Sequence, residues 1–173
     1  MKKIIYLCAY LLAGAGLAAC SSSGDGDGGG SGGATLTTSD LTGTWSGCEN
    51  ESGGSVDIGV TIDSSSITVA FEAYDAADCT GNIIDSGSET LSYTLGGSCT
   101  LDGTVAGITS GTELDTTVVT STVGNTPGDK TYDCITVSGN NLYVSDDEAD
   151  PAKDASAPDK RPTRLITTPF VKQ

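Results

Sequence analysis

Cysteines hold most of the reactive chemistry in this chain. Cys20 closes Leu17-Ala18-Ala19-Cys20 at the foot of an uncharged apolar stretch, Ile4 to Leu17, which itself follows Lys2 and Lys3. A positive start, an apolar middle and small residues before a cleavage point are the parts of an export signal. The stretch is shorter than the ~20 residues a membrane-spanning helix needs. Cys8 lies inside that signal. Cys48, Cys79, Cys99 and Cys134 remain, an even number in an exported chain, which reads as two disulfides with three possible pairings. No CxxC spacing and no histidine accompany them, so a zinc site is disfavoured.

The absence of histidine narrows the chemistry further. It excludes Ser-His-Asp and Cys-His nucleophile systems and the ordinary neutral-pH general base. Paired carboxylates can hydrolyse glycosides without histidine, but no pair stands out among the many Asp and Glu. The expectation is a protein that is not an enzyme and needs no cofactor or metal. Without Lys2 and Lys3 the chain has six basic and 23 acidic residues, a net charge of −17. That balance argues against nucleic acid and anionic headgroups, and permits cationic partners.

The signal and Cys20 resemble the lipobox of bacterial lipoproteins. In that family the cysteine thiol is diacylated, the chain is cut before it, and the new amine is acylated. The resemblance implies lipidation of Cys20 and a membrane anchor. Ser21, in place of the Asp that marks inner-membrane retention in enterobacteria, implies the outer membrane. Residues 1–19 are then a cleaved signal peptide, and 20–37 are the lipidated cysteine and a flexible linker. Gly24-Asp25-Gly26-Asp27 and the Gly/Ser run to Gly33 contain no apolar residue to offset the entropy of ordering. As a coil the linker spans about 22 Å. A single Gly-Asp-Gly-Asp copy is read as linker and not as a calcium repeat.

Residues 38–173 are long enough for one domain. Apolar side chains recur there at every second position: Val56, Ile58, Val60, Ile62; then Ile67, Val69, Phe71, Ala73; then Leu91, Tyr93, Leu95. Leu101 with Val105, Leu114 with Val118, Ile135 with Val137 and Leu142 with Val144 continue the pattern. One dry and one wet face imply antiparallel strands. Turn residues at Asp63 to Ser66, Gly96-Gly97-Ser98, Ser110-Gly111, Gly124 to Gly128 and Ser138-Gly139-Asn140 separate the runs. With a strand around Trp45, about eight sequential strands predict an all-β, up-and-down antiparallel barrel, which leaves no exposed edge. A two-sheet sandwich is the alternative. In such a meander the ends of strands one and three share a rim. That favours Cys48–Cys79, and leaves Cys99, placed in a turn before the fifth strand, to pair with Cys134.

Asp40-Leu41-Thr42-Gly43-Thr44-Trp45 resembles the entrance of a lipocalin-type barrel. In that superfamily a short helical turn closes one end and a Gly-x-Trp strand plugs the base. Gly43 and Trp45, the only tryptophan, are the matching residues. The family covers that tryptophan with an arginine, for which Arg161 and Arg164 are the candidates. Where lipocalins carry Thr-Asp-Tyr this chain has the inverted Thr131-Tyr132-Asp133, so the resemblance is to lipocalin-like barrels. More narrowly, it is similar to small lipocalin-like bacterial lipoproteins of uncharacterised function. The carriers are Trp45-x-x-Cys48, Tyr74 to Thr80, Ile135 to Tyr143 and Arg161-Pro162-Thr163.

Barrels of this size are either filled by side chains or hold one small ligand. The candidate lining is Val60, Ile62, Val69, Phe71, Leu91 and Tyr93, which suits an apolar small molecule, and a filled core suits it equally. The alternatives are a periplasmic protein-binding module or inhibitor steered to a cationic protein by charge, or a purely structural envelope lipoprotein. The acidic run Asp146-Asp147-Glu148-Ala149-Asp150, continuing to Asp159, reads as a mobile loop and not as a calcium site. Asp75 and Asp78 read as turn formers before Cys79.

Overall fold

The structure, a computed structural model, describes residues 35–148 and 152–173. The export signal, Cys20 and the linker as far as Ala34 lie outside these residues, as do 149–151 of the acidic run.

Alternation of apolar residues becomes alternation of burial. In β2 (Gly54–Ile62), Val56, Ile58, Val60 and Ile62 are buried. The residues between them, from Asp57 to Thr61, keep contact with solvent. The same rhythm runs through β3 (Ser66–Tyr74) and β5 (Ser110–Ser121). With β1 (Gly43–Glu51), β4 (Ile83–Thr100), β6 (Lys130–Ser138), β7 (Asn141–Val144) and β8 (Phe170–Lys172), the strands pair with their chain neighbours, all antiparallel. Strand β8 pairs back onto β1 through Trp45–Lys172 and Ser46–Val171, so the sheet closes into an eight-stranded up-and-down barrel.

The strand count matches expectation, but two of its members differ. Leu101 and Val105 do not begin a strand. Gly96-Gly97 is not a turn either: β4 runs through it for 18 residues, with a register shift between Leu95 and Ser98. A Gly pair inside a strand marks a bulge as readily as a hairpin. The segment after Thr100 instead folds against the outside of the barrel. There Leu101 forms a second buried cluster with Cys134, Tyr143 and Leu165. The eighth strand is Phe170–Lys172, three residues long and too short to show a period.

Both disulfides pair as expected, Cys48 with Cys79 and Cys99 with Cys134. Cys99 lies in β4 rather than in a turn, and its bridge reaches β6 by crossing over β5 at Gly111. A Cβ at Gly111 would lie 3.4 Å from Cys99 Sγ and 2.9 Å from the Ile135 carbonyl oxygen, so only glycine leaves room for the crossing. The other bridge fastens the β3–β4 connection, where Asp78 and Cys79 adopt φ of 59° and 52°. Buried Ser55 holds this turn, its hydroxyl donating to Ala76 O (2.6 Å) and accepting from Cys79 N–H (2.8 Å). Asp75 accepts from the Asn82 backbone and side chain, and Asp78 accepts from Asn50, so both act as turn formers.

One barrel end is plugged. Helix α1 (Thr38–Leu41) is opened by Thr37, whose N–H donates to the Asp40 carboxylate at 2.7 Å. A helix end leaves carbonyls without partners; here the Trp45 indole N–H donates to Leu41 O at 2.9 Å. Leu41 and Trp45 are both fully buried. The cation over the Trp45 ring is Lys172, 4.9 Å from the centroid, and neither Arg161 nor Arg164. Lys172 comes from β8, opposite Trp45 in register, which brings it to the base.

Both arginines lie elsewhere on the molecule. Arg161 sits outside the barrel against β5 and β6, donating to Asp133 O (2.7 Å), Leu114 O (3.2 Å) and the Asp115 carboxylate (2.6 Å). Its guanidinium carbon lies 5.8 Å from the Tyr132 ring centroid. Arg164 pairs with Asp102 at 3.2 Å.

Candidate functional site

Above the plugged base the barrel is open inside. A cavity of about 510 Å³ runs between the strands, within the range of small-molecule sites. Of the lining expected from sequence, Val60, Ile62, Val69, Phe71 and Leu91 border it. Tyr93 does not. It packs against the core below, and its hydroxyl donates to Asp63 O in the β2–β3 turn at 2.8 Å, so it helps to shut the base. Ile58, Ile67, Leu114, Val118, Ile135 and Leu142 complete the apolar walls. Gly87 gives Phe71 its space: a Cβ there would lie 2.7 Å from the Phe71 ring.

Register orders the cavity along the barrel axis. Trp45 lies opposite Val60, and Ile62 opposite Ile67, all at the plugged end, whereas Glu49 lies opposite Val56 towards the other end. Strand β6 starts at the open end, so Asp133 faces the upper cavity and Ile135 lies one layer lower. The connection from β7 to β8 contributes Asp146, Asp147, Asp154, Ala155, Ser156 and Ile166 to the same lining. It is fastened to the wall by Tyr132 N–H donating to Ala155 O (3.0 Å) and Ile166 N–H donating to Val144 O (2.9 Å).

The open end is therefore acidic. Glu49, Glu89, Asp129, Asp133, Asp146, Asp147 and Asp154 line it, with Lys130 the one basic residue among the lining groups described. Desolvation raises the Asp133 pKa to about 6, with help from the charge on Asp147 and against hydrogen bonds from Ser145 and Thr131. The Ser145 hydroxyl donates to Asp133 Oδ1 at 3.0 Å. Asp133 is enclosed by protein on all sides yet keeps some open surface, because what it faces is the cavity. Burial also raises Glu49, reinforced by Glu51 and Asp146. Glu89 is raised by burial although Asn125 and Ser121 hydrogen-bond to it, and Asp147 by burial and by Asp146 and Asp154.

Sequence periodicity points to the apolar floor and misses this collar. Glu49, Glu89 and Asp133 occupy inward positions within β1, β4 and β6, where one carboxylate amid many carries no signal of its own. Asp147 and Asp154 come from the acidic run read as a mobile loop, which instead forms part of the wall. Among the described residues no three His, Cys, Asp or Glu side chains are grouped so as to hold a metal ion, and no helix is long and apolar enough to cross a membrane. Compared with protein-family models, with curated proteins and with solved structures, the chain matches none.

Proposed function

We propose that this is a lipid-anchored protein of the cell envelope, held at the outer membrane through acylated Cys20, whose lipocalin-like barrel binds an apolar small molecule and catalyses nothing. The observation that carries the binding role is the cavity: about 510 Å³, plugged at one end by Trp45 and walled by aliphatic side chains. Interiors normally pack to crystal-like density, and a void of this size forfeits contacts that filled cores make. A ligand whose apolar surface restores those contacts gains at roughly 25 cal/mol per Å² removed from water.

Support for the anchor is the sequence Leu17-Ala18-Ala19-Cys20 behind its apolar segment. Three acyl chains exceed the two signals that stable membrane attachment needs. Titrating the protein with an environment-sensitive apolar dye tests the cavity: saturable one-to-one fluorescence is expected, and a linear, non-saturable rise contradicts binding. Intact-mass spectrometry of protein taken from membranes tests the anchor, with a triacylated amino-terminal Cys20 expected and an unmodified Cys20 against it.

A further inference from the structure

Resting on the reading of the cavity as a ligand site, we propose that its occupant is an organic cation with an apolar tail, the tail among the aliphatic residues of the floor and the positive head between the carboxylates of the open end. The two halves of the cavity differ in chemistry. Val60, Ile62, Ile67, Leu91, Ile135 and Leu142 offer a tail only dispersion and dryness. Glu49, Glu89, Asp133 and Asp147 stand above them with acceptor oxygens and negative charge.

One basic side chain, Lys130, borders the same end, and it forms no ion pair with these carboxylates; the others are engaged elsewhere. Among the described residues the ion pairs are Lys160–Asp154, Arg161–Glu113, Arg161–Asp115 and Arg164–Asp102, none with Glu49, Glu89, Asp133 or Asp147. Lys172 is over Trp45 at the opposite end, and Lys153 donates to Asp159 O. Arg161 approaches β6 from the outer face, where it takes the Asp133 carbonyl and leaves that residue's carboxylate to the interior. A carboxylate enclosed by protein gains most from a cation, because the field between them is not screened by bulk water. Burial raises the proton affinity of all four and neighbouring carboxylates add to it; at Asp133 the charge of Arg161 and the hydrogen bonds from Ser145 and Thr131 oppose the rise without cancelling it. An anionic head such as a fatty carboxylate meets repulsion at the same place, and a neutral alcohol gains only hydrogen bonds.

The test compares three heads on one tail: octyltrimethylammonium, octanol and octanoate. Each is titrated calorimetrically into the full-length protein in zwitterionic lipid nanodiscs, with empty nanodiscs as reference for partitioning. The cation is expected to bind at least tenfold more tightly than octanol, and octanoate more weakly still. Asp133→Asn combined with Glu89→Gln is expected to reduce the preference for the cation over octanol at least fivefold, with a far-ultraviolet circular dichroism spectrum like that of the wild type reporting that the variant is folded. Equal affinity for the three heads, or a preference for octanoate, overturns the cationic assignment while leaving the cavity as an apolar site. Binding of none of them above empty nanodiscs overturns both.

Discussion

Asp133 is the residue at which the interior departs most from a hydrocarbon core. Its pKa near 6 lies above the unfolded value of about 3.9, so the folded state holds the proton more tightly. Stability from this group is therefore fully present below about pH 4 and is lost as pH rises towards and through 6. Asp133→Asn removes the titration and is expected to raise unfolding free energy at pH 7 to 8 by up to about 3 kcal/mol, an upper value set by the size of the shift. Urea denaturation of both proteins from pH 4 to 8 reads this: the curves should converge at the acid end, and parallel curves would contradict the buried charge. On the outer face Arg161 acts in the opposite sense. It joins the Leu114 and Asp133 carbonyls to Asp115 while being 9% exposed itself. Arg161→Ala leaves those oxygens without their donor and is expected to cost about 1–3 kcal/mol. Thermal unfolding indistinguishable from wild type would show the clamp to be ornamental.

Among the elements, β8 decides whether the sheet is a barrel or a ribbon. Its three residues supply Lys172 over Trp45 and Phe170 against Gly47, where a glycine Cβ would meet the ring at 3.3 Å. Removal of 170–173 is expected to expose the edges of β1 and β7, lower stability by about 1–2 kcal/mol from loss of the half-buried Phe170 side chain in addition to the lost strand pairing, and produce concentration-dependent association. A monomer of native stability by light scattering and calorimetry would show closure to be dispensable. The strands with strong alternation, β2 and β3, are legible in sequence because a period of two sustained along a whole strand fits a sheet and no helix. Strand β8 is not, since three residues hold no period, and Gly96-Gly97 reads as a turn because a bulge and a hairpin use the same residue. The arginine over Trp45 was an expectation of the resemblance. Lys172 fills that place because register, and not a motif, sets which cation arrives.

At the scale of the molecule, chain topology and charge divide the work. The Cys99–Cys134 bridge joins β4 to β6 across β5, and Cys134 is itself part of the outer cluster with Leu101, Tyr143 and Leu165. The double substitution of both cysteines by alanine is expected to lower unfolding free energy by roughly 2–4 kcal/mol while leaving the cavity formed. Dye binding retained at reduced melting temperature checks this; loss of binding together with folding cooperativity would give the bridge a larger share of the fold. An apolar lining was foreseeable from inward-facing Val60, Ile62, Val69, Phe71 and Leu91. Whether those side chains meet across the barrel depends on its girth, which no local pattern encodes.

Methyl NMR of the full-length protein, titrated with octyltrimethylammonium, reads the interior directly. Saturable one-to-one shifts should fall on Val60, Ile62, Ile67, Leu91 and Leu142 and leave Ile83, Ile84 and Val119 on the outer surface unmoved. Interior methyls that do not respond, or shifts confined to the outer residues, would mean that the barrel does not take this cation into its interior.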